Sequence, residues 1–459
     1  MMSMVMAVLT KKQLLHYYHV DPIRPRAFES KEKRTQLKTS HWKVIPKQPS
    51  EHSASPPPPP PPPTQLISCN RTNKSYDICC LNGPTTLDPI ISTFYVWDPI
   101  TTANSLGPPP NKQKIRPYPR KWENNTMSHI KELTLITSPT KIHCQVQHQA
   151  PAVVFSAGGY TGNLFHDFND GFIPLFVTVR SVFALNGVHP VLVISMSRNW
   201  WLSKYSELLQ RFTPYPIINL DNETATHCFP STTIGLISHG YMAINPKLLP
   251  NLDTFIDFRV LLGTAYDAKT GRQTLATIAR RRPILVLVGR KGDVGRVILN
   301  QAQVVLLAKE VGFEVSIFEP TKFTSLSNAY ELINRSHAMV GVHGAALTHS
   351  LFLRPGSVFI QVVPIGIDWL AETCFGKPAR DMGLEYMEYK IGVNESSLVE
   401  KYGMDHLVLK NPKALIKENF SNTKNIYLKS QDVRVDLVRF GRYLRKAFKK
   451  AKNFMDKEG

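Results

Sequence analysis

Between residues 152 and 363, hydrophobic positions alternate between short continuous runs and longer stretches with apolar residues three and four apart. Runs of five or six apolar residues between turn signals read as strands buried on both faces, and three-to-four spacing reads as amphipathic helix. The first set is Ala152–Ser156, Pro190–Ser195 and Tyr215–Leu220 as strands. Between them lie helical patterns at 163–183, where Leu164, Phe168, Phe172, Leu175, Phe176 and Val179 share a face, and at 201–212. A polar, Arg-rich bridge at 267–282 separates it from a second set. There the strands are Ile284–Gly289, Phe313–Phe318, Ala338–Val342 and Ser357–Val363, with helices at 294–311 and 324–336. Strand–helix alternation of this kind predicts an α/β protein with two Rossmann-like halves facing a cleft, parallel strands and ligands at the carboxyl ends of the strands.

Outside this region the pattern changes. Residues 1–63 are polar and basic and end in the run Pro56–Pro63, which reads as a disordered, semi-rigid spacer. Residues 64–149 are rich in Cys, Asn and Thr, with turn signals at 82–84 and 107–110; Ser92–Trp97 and Glu132–Thr137 are short strands of an irregular lead-in. At the other end, 432–452 is a basic amphipathic stretch expected to be a solvated packing helix. The expected boundaries are therefore 1–63 stem, 64–149 lead-in, 150–270 N-terminal acceptor-side domain, 271–410 C-terminal nucleotide-sugar domain and 411–459 helical tail.

Composition adds a bias and removes a class. With 55 Lys and Arg against 35 Asp and Glu, the net charge is +20, which suits polyanionic partners. Much of the excess sits in the two tails, and no zinc-finger spacing or RNA-binding aromatic signature accompanies it, so a nucleic-acid partner is not expected. Six cysteines, none in a C-x-x-C pair, permit up to three disulfides in any pairing. Seven N-x-[ST] tripeptides, at Asn70, Asn73, Asn124, Asn222, Asn334, Asn394 and Asn419, tilt the reading towards a secretory protein. Residues 1–9 are apolar but give way to Lys11-Lys12, too short a run to span a bilayer and unlike a signal peptide.

Chemistry concentrates at two strand-to-helix turns. In the first set, GNLFHDFND (162–170) places His166 and Asp170 four apart on one helix face, where a carboxylate can orient an imidazole as general base. The alternative is a capped helix with Asp167 at its positive end. In the second set, VGVHGAAL (340–347) is a strand–Gly–His–Gly–helix turn: Gly344 lets the backbone approach a ligand, amides and a helix end face outward, and His343 adds a donor able to become cationic. Across from it, Arg290, in Gly289-Arg290-Lys291-Gly292, and Arg296, expected to open the next helix, supply cations for a diphosphate. Glu319 ends a strand where a carboxylate could accept from ribose hydroxyls. His349 is expected to be structural or ligand-binding with equal reason. The chain has no D-x-D and no phosphate-loop motif, so a leaving diphosphate would be stabilised by cations, amides and a helix end, with no metal or other cofactor.

Four segments in order, GNLFHDFNDGFIPLF (162–176), VGRKGDVGRVILNQ (288–301), GVHGAALTHSLFLRPGS (341–357) and MGLEYMEYKIGVNESSL (382–398), resemble plant members of glycosyltransferase family 61, in the group that includes xylan arabinosyl- and xylosyltransferases. The resemblance covers roughly 150–410. It implies a GT-B fold and metal-independent, inverting transfer of a pentose from a UDP-sugar to xylan or a related polysaccharide. It also implies residence in the Golgi lumen as a type II membrane protein, whose anchor this sequence does not display. His166/Asp170 would then activate the acceptor hydroxyl, while Arg290, Arg296, Glu319, His343 and Gly344 would hold the nucleotide sugar. A non-catalytic relative that binds glycan or nucleotide sugar is the rival expectation.

Overall fold

The computed structural model describes residues 65–98, 111–183, 187–267, 282–290 and 294–458. The 1–63 stem, the 107–110 turn, most of the 267–282 bridge, and Lys291 and Gly292 lie outside the described residues. The described residues form one compact unit, a mixed α/β body with three sheets among them.

The sheet that matters most is five-stranded and entirely parallel. Its spatial order is Glu314–Phe318, Ile284–Val288, Ala338–Val342, Val358–Val363, Glu385–Lys390. In chain order this is 2-1-3-4-5, so the winding reverses between Ile284–Val288 and Ala338–Val342, the position at which such sheets bind ligands. Every residue of those two strands is buried, which explains their unbroken apolar sequences. The fifth strand, Glu385–Lys390, was not expected. It is an edge strand with only Met387 and Tyr389 buried, and that half-polar pattern hid it.

The other two sheets are mixed. In one, Ala152–Ser156, Val191–Ser195 and Ile218–Asn219 run parallel, as the alternation predicts, although the last is only two residues long; Thr232–Ile234, which was not expected, adds a fourth parallel strand beside Ala152–Ser156. An antiparallel hairpin, Ile67–Asn70 with Ile78–Leu81, extends this sheet through Thr232–Ile234. A disulfide joins Cys69 and Cys79 across that hairpin, and a second joins Cys144 to Cys228; Cys80 and Cys374 are free thiols. The third sheet contains Thr93–Trp97 paired with Leu133–Ser138, the two strands expected in the lead-in.

One continuous apolar cluster links the parallel sheet and the sheet that carries Ala152–Ser156. It runs from Phe155, Phe168 and Phe258 to Tyr330, Leu351 and Phe352, with Phe375 also in it. The C-terminal helix Leu437–Glu458 buries Phe440, Leu444, Ala447 and Ala451 in a separate cluster against the parallel sheet, and most of its basic side chains face outward, whereas Arg439 folds onto Tyr389 and donates to its hydroxyl at 2.9 Å. It is a packing helix. No helix among the described residues is long and apolar enough to cross a membrane.

Candidate active site

The helical stretch after Ala152–Ser156 is not a continuous α-helix. Asn163 caps it, its side chain accepting from the Phe165 amide at 3.1 Å. After one turn, Leu164–His166, the chain widens into a π-helical turn over Asp167–Phe172 and then resumes as α-helix over Ile173–Val182. Such turns insert an extra residue and recur at functional sites. Here the turn buries His166, Asp167, Asn169 and Asp170 together. Asp167 is no helix cap. It accepts from Trp201 Nε1 at 3.0 Å and from the Tyr205 hydroxyl at 2.7 Å, fixing the neighbouring helices.

His166 and Asp170 form the expected pair, with Nδ1 to Oδ2 at 2.8 Å. The same carboxylate oxygen accepts from Tyr118 at 3.0 Å and from Arg120 Nε at 2.9 Å, while Asn169 donates to the other oxygen at 2.5 Å. Burial works against ionisation of Asp170, but Arg120 and His166 override it and hold the carboxyl well below the usual range. Arg120 Nη2, a donor, also lies 3.2 Å from Nδ1, but the Asp170 carboxylate is nearer at 2.8 Å and draws the proton onto Nδ1, which leaves Nε2 with a free lone pair. Nε2 is buried and makes no hydrogen bond among the described residues; Tyr160 stacks on the ring at 4.5 Å and Phe165 meets its edge at 5.3 Å.

Arg120, Glu123, Tyr118 and Tyr160 come from outside the segments that sequence reasoning picked. Arg120 is fully inside the protein, bridging Asp170 and Glu123, and its guanidinium lies 5.1 Å from the Tyr160 ring centre. The available signal was the spacing Arg120-x-x-Glu123 in a stretch of otherwise scattered charge, too common a pattern to single out.

At the other turn, the backbone leaves Ala338–Val342 and enters a 3-10 helix, Ala345–Phe352, where an α-helical turn was expected. Gly344 at the junction has φ +153°, a conformation side chains rarely adopt. A Cβ there would stand 1.7 Å from an Arg290 terminal nitrogen and 3.1 Å from Arg296 Nη1. Arg296 donates to the His343 carbonyl at 3.0 Å, and its Nε is buried with no partner among the described residues. Both arginines thus press on one glycine at the strand reversal. Among the described residues no carboxylate pairs with either. Burial, and then the neighbouring Arg290, push the Arg296 guanidinium down to about 9; burial alone lowers Arg290.

Arg296 does not open a helix as expected. The helix begins at Gln301. Gly295 and Arg296 both have positive φ, +66° and +59°, and the segment instead pairs with the chain at 431–433 through Arg296 N to Gln431 O and Leu299 N to Val433 O. That pairing swings the Arg296 side chain back towards His343.

His343 is also corrected. Gln361 Nε2 lies 2.8 Å from His343 Nδ1, and Gln361 Oε1 accepts from Tyr386 at 2.6 Å. The amide therefore donates to Nδ1, and the ring carries its proton on Nε2. Burial, then Arg296 and Arg290, drive its pKa well below the ordinary value, so the ring is a neutral donor where a cation-forming one was expected. Glu319 ends its strand beside Gly289, with its side chain about where a Gly289 Cβ would lie (2.9 Å to Cγ). His349 resolves as structural: buried, with Nδ1 donating to the Ala346 carbonyl at 2.8 Å.

The two turns meet. The Leu164–His166 turn packs against the 3-10 helix Ala345–Phe352. Phe375, on a second π-helical turn at Glu372–Gly376, lies 5.7 Å from Phe165 and 5.4 Å from His343. Its neighbour Cys374 is a buried thiol pushed up to about 12 by burial. A dyad with a free imidazole nitrogen thus adjoins a pair of arginines that no carboxylate among the described residues offsets. The arrangement suits removal of a proton on one side and stabilisation of an anion on the other.

Comparison with known proteins frames the same residues. The model of the family described as Glycosyltransferase 61 matches residues 162–360, a span that contains both turns. The chain is 41% identical over 406 residues to a xylan glycosyltransferase of Arabidopsis thaliana, covering 84% of this chain and 80% of that protein. It is 34% identical over 396 residues to a beta-1,2-xylosyltransferase of Oryza sativa subsp. japonica, covering 83% of each. An alpha-1,3-arabinosyltransferase of the same rice is 34% identical over 374 residues, covering 81% of this chain but only 62% of that relative's length. With relatives matched across four fifths of their length and the family's segment enclosing the dyad and the arginine pair, the chain belongs to glycosyltransferase family 61.

Proposed function

We propose that this protein transfers a pentose, arabinose or xylose, from a UDP-sugar to a xylan-type polysaccharide with inversion at the anomeric carbon. The observation that carries the reading is the convergence of Arg290 and Arg296 on Gly344 at the strand reversal, with no carboxylate among the described residues to offset them. Two partly buried like charges are costly unless an anion joins them, and a nucleotide diphosphate is such an anion. The relatives, a xylan glycosyltransferase, an arabinosyltransferase and a xylosyltransferase, support the sugar and the acceptor.

In this scheme the acceptor hydroxyl gives its proton to His166 Nε2 and attacks the anomeric carbon, forming the new glycosidic bond. The bond from that carbon to the β-phosphate oxygen breaks, and its electron pair leaves with UDP. Asp170 holds the imidazole in the tautomer that leaves Nε2 basic and stabilises the imidazolium that forms. Since Nε2 is buried, acceptor entry requires the side chains around it to move. Arg290, Arg296 and the His343 Nε2–H meet the departing charge, and Glu319 accepts from the ribose hydroxyls. The architecture is read as GT-B, with the donor on the parallel sheet, the acceptor on the 150–270 side, and no metal required. The two disulfides support residence in an oxidising lumen, the Golgi.

The test is purified protein with UDP-arabinofuranose and UDP-xylose on xylooligosaccharides, with and without EDTA, and with the product anomer assigned by NMR. Transfer in EDTA with inverted configuration is expected. UDP binding without transfer to any xylan acceptor would favour a non-catalytic, nucleotide-sugar-binding relative.

A further inference from the structure

Two adjacent tryptophans on the short helix Asn199–Lys204 have opposite fates. Trp201 is buried and hydrogen-bonded to Asp167, whereas Trp200 is 45% exposed. Trp200 is not remote. Its Cη2 lies 3.5 Å from where a Cβ on Gly162 would stand, and Gly162, at φ +98°, leads directly into the turn that carries His166. The indole thus rests in van der Waals reach of the backbone that leads into the His166 turn. The same helix reaches the parallel-sheet region: Lys204 Nζ donates to the Lys322 carbonyl at 3.5 Å. The next residue, Phe323, is 83% exposed, on a loop four residues beyond Glu319. That loop is braced by Thr321 and Thr324, Thr321 N to Thr324 Oγ1 at 2.8 Å and Phe323 N to Thr321 Oγ1 at 3.2 Å, so Phe323 is held out from the core by an ordered turn.

We propose, resting on the transferase reading above, that Trp200 is an acceptor-positioning residue. A xylan backbone lies across its indole face, and Phe323 forms a second, outer contact for longer chains. Exposed aromatic rings at the rim of a site are otherwise a loss of burial energy, and they suit a ligand whose rings have apolar C–H faces and polar edges. A long neutral polysaccharide is such a ligand. The donor's diphosphate is matched to the arginines, and the UDP measurements below separate stacking of its uracil ring from stacking of the polysaccharide. Stacking at the rim sets how the chain is held, while His166 selects the hydroxyl.

The experiment compares wild type, Trp200→Ala, Trp200→Phe and Phe323→Ala. It measures kinetics with xylooligosaccharides of increasing length, retardation in xylan-containing native gels, and UDP-induced thermal shift. Trp200→Ala is expected to raise the acceptor KM about tenfold for long oligomers and much less for the shortest, the size of one aromatic contact. The donor KM and the UDP shift should stay in place. Trp200→Phe should recover most of the loss, and Phe323→Ala should affect only long acceptors. Equal gel retardation and equal acceptor KM in wild type and Trp200→Ala would overturn the proposal, as would a change in oligomeric state without a change in xylan retention. If Trp200→Ala does not fold, an unchanged length dependence in both Trp200→Phe and Phe323→Ala overturns it. A wild-type protein that neither transfers to nor is retarded by xylan would instead remove the transferase reading on which this one rests.

Discussion

Arg290 occupies the space that a side chain at Gly344 would need: its terminal nitrogen lies 1.7 Å from the ideal Cβ position. The glycine is therefore required twice, by its φ of +153° and by the guanidinium that fills its missing side chain. Gly344→Ala is expected to displace Arg290 and weaken UDP binding by at least about tenfold, a loss of about 1.4 kcal/mol or more, with a further stability cost of about 1–3 kcal/mol from the strained backbone. Calorimetric titration with UDP, alongside thermal unfolding of the unliganded protein, separates the two effects.

Arg296 titrates unusually early because it is buried beside a like charge. A bound diphosphate would restore its ordinary basicity, so binding above pH 9 must take up a proton. UDP affinity should fall as pH rises through about 9. In the unliganded protein the sign is opposite: a cation whose folded pKa is depressed costs stability while charged, and the cost lifts as pH climbs past that value. Arg296→Gln should therefore leave the unliganded melting temperature unchanged or raised at pH 7 and abolish the UDP-induced shift. A variant that still shifts as wild type does would place the anion elsewhere.

Asp170 and His166 separate stability from chemistry. Removing the Asp170 charge leaves Arg120 buried with only Glu123 to face it, so Asp170→Asn should cost about 3–5 kcal/mol as well as activity. The folded-state pKa of Asp170 is depressed, so its contribution is present above the unfolded carboxyl value of about 4 and is lost as pH falls below it. The loss of stability in acid should shrink in Asp170→Asn. His166→Ala removes the base but keeps the Arg120–Asp170 pair. It should abolish transfer while preserving UDP binding. Turnover within a few-fold of wild type would exclude His166 as base.

His343 is buried neutral beside two cations. Below about pH 6.5 the unfolded chain gains a proton that the folded site resists, so unliganded stability declines on acidification by up to about 1.4 kcal/mol per pH unit for this one group. His343→Asn should flatten that slope by one proton in denaturant titrations at pH 5–7. An unchanged slope would show that the ring is charged in the folded state.

The amino-acid pattern alone determined the parallel strands, because residues buried on both faces must be apolar throughout, and Ile284–Val288 and Ala338–Val342 are. It also determined the His166–Asp170 pair and the glycine–histidine turn, since both depend on residues within four positions of each other. It could not give the Glu385–Lys390 edge strand, whose half-polar face looks like loop. Nor could it give the position of Arg296, which depends on pairing with residues about 135 positions away. Arg120, which keeps Asp170 ionised, and Gln361, which fixes the His343 tautomer, were equally out of reach. Local geometry follows from short-range sterics and hydrophobic period. The charge state of a site follows from which distant groups the completed fold packs around it, and only the tertiary structure decides that.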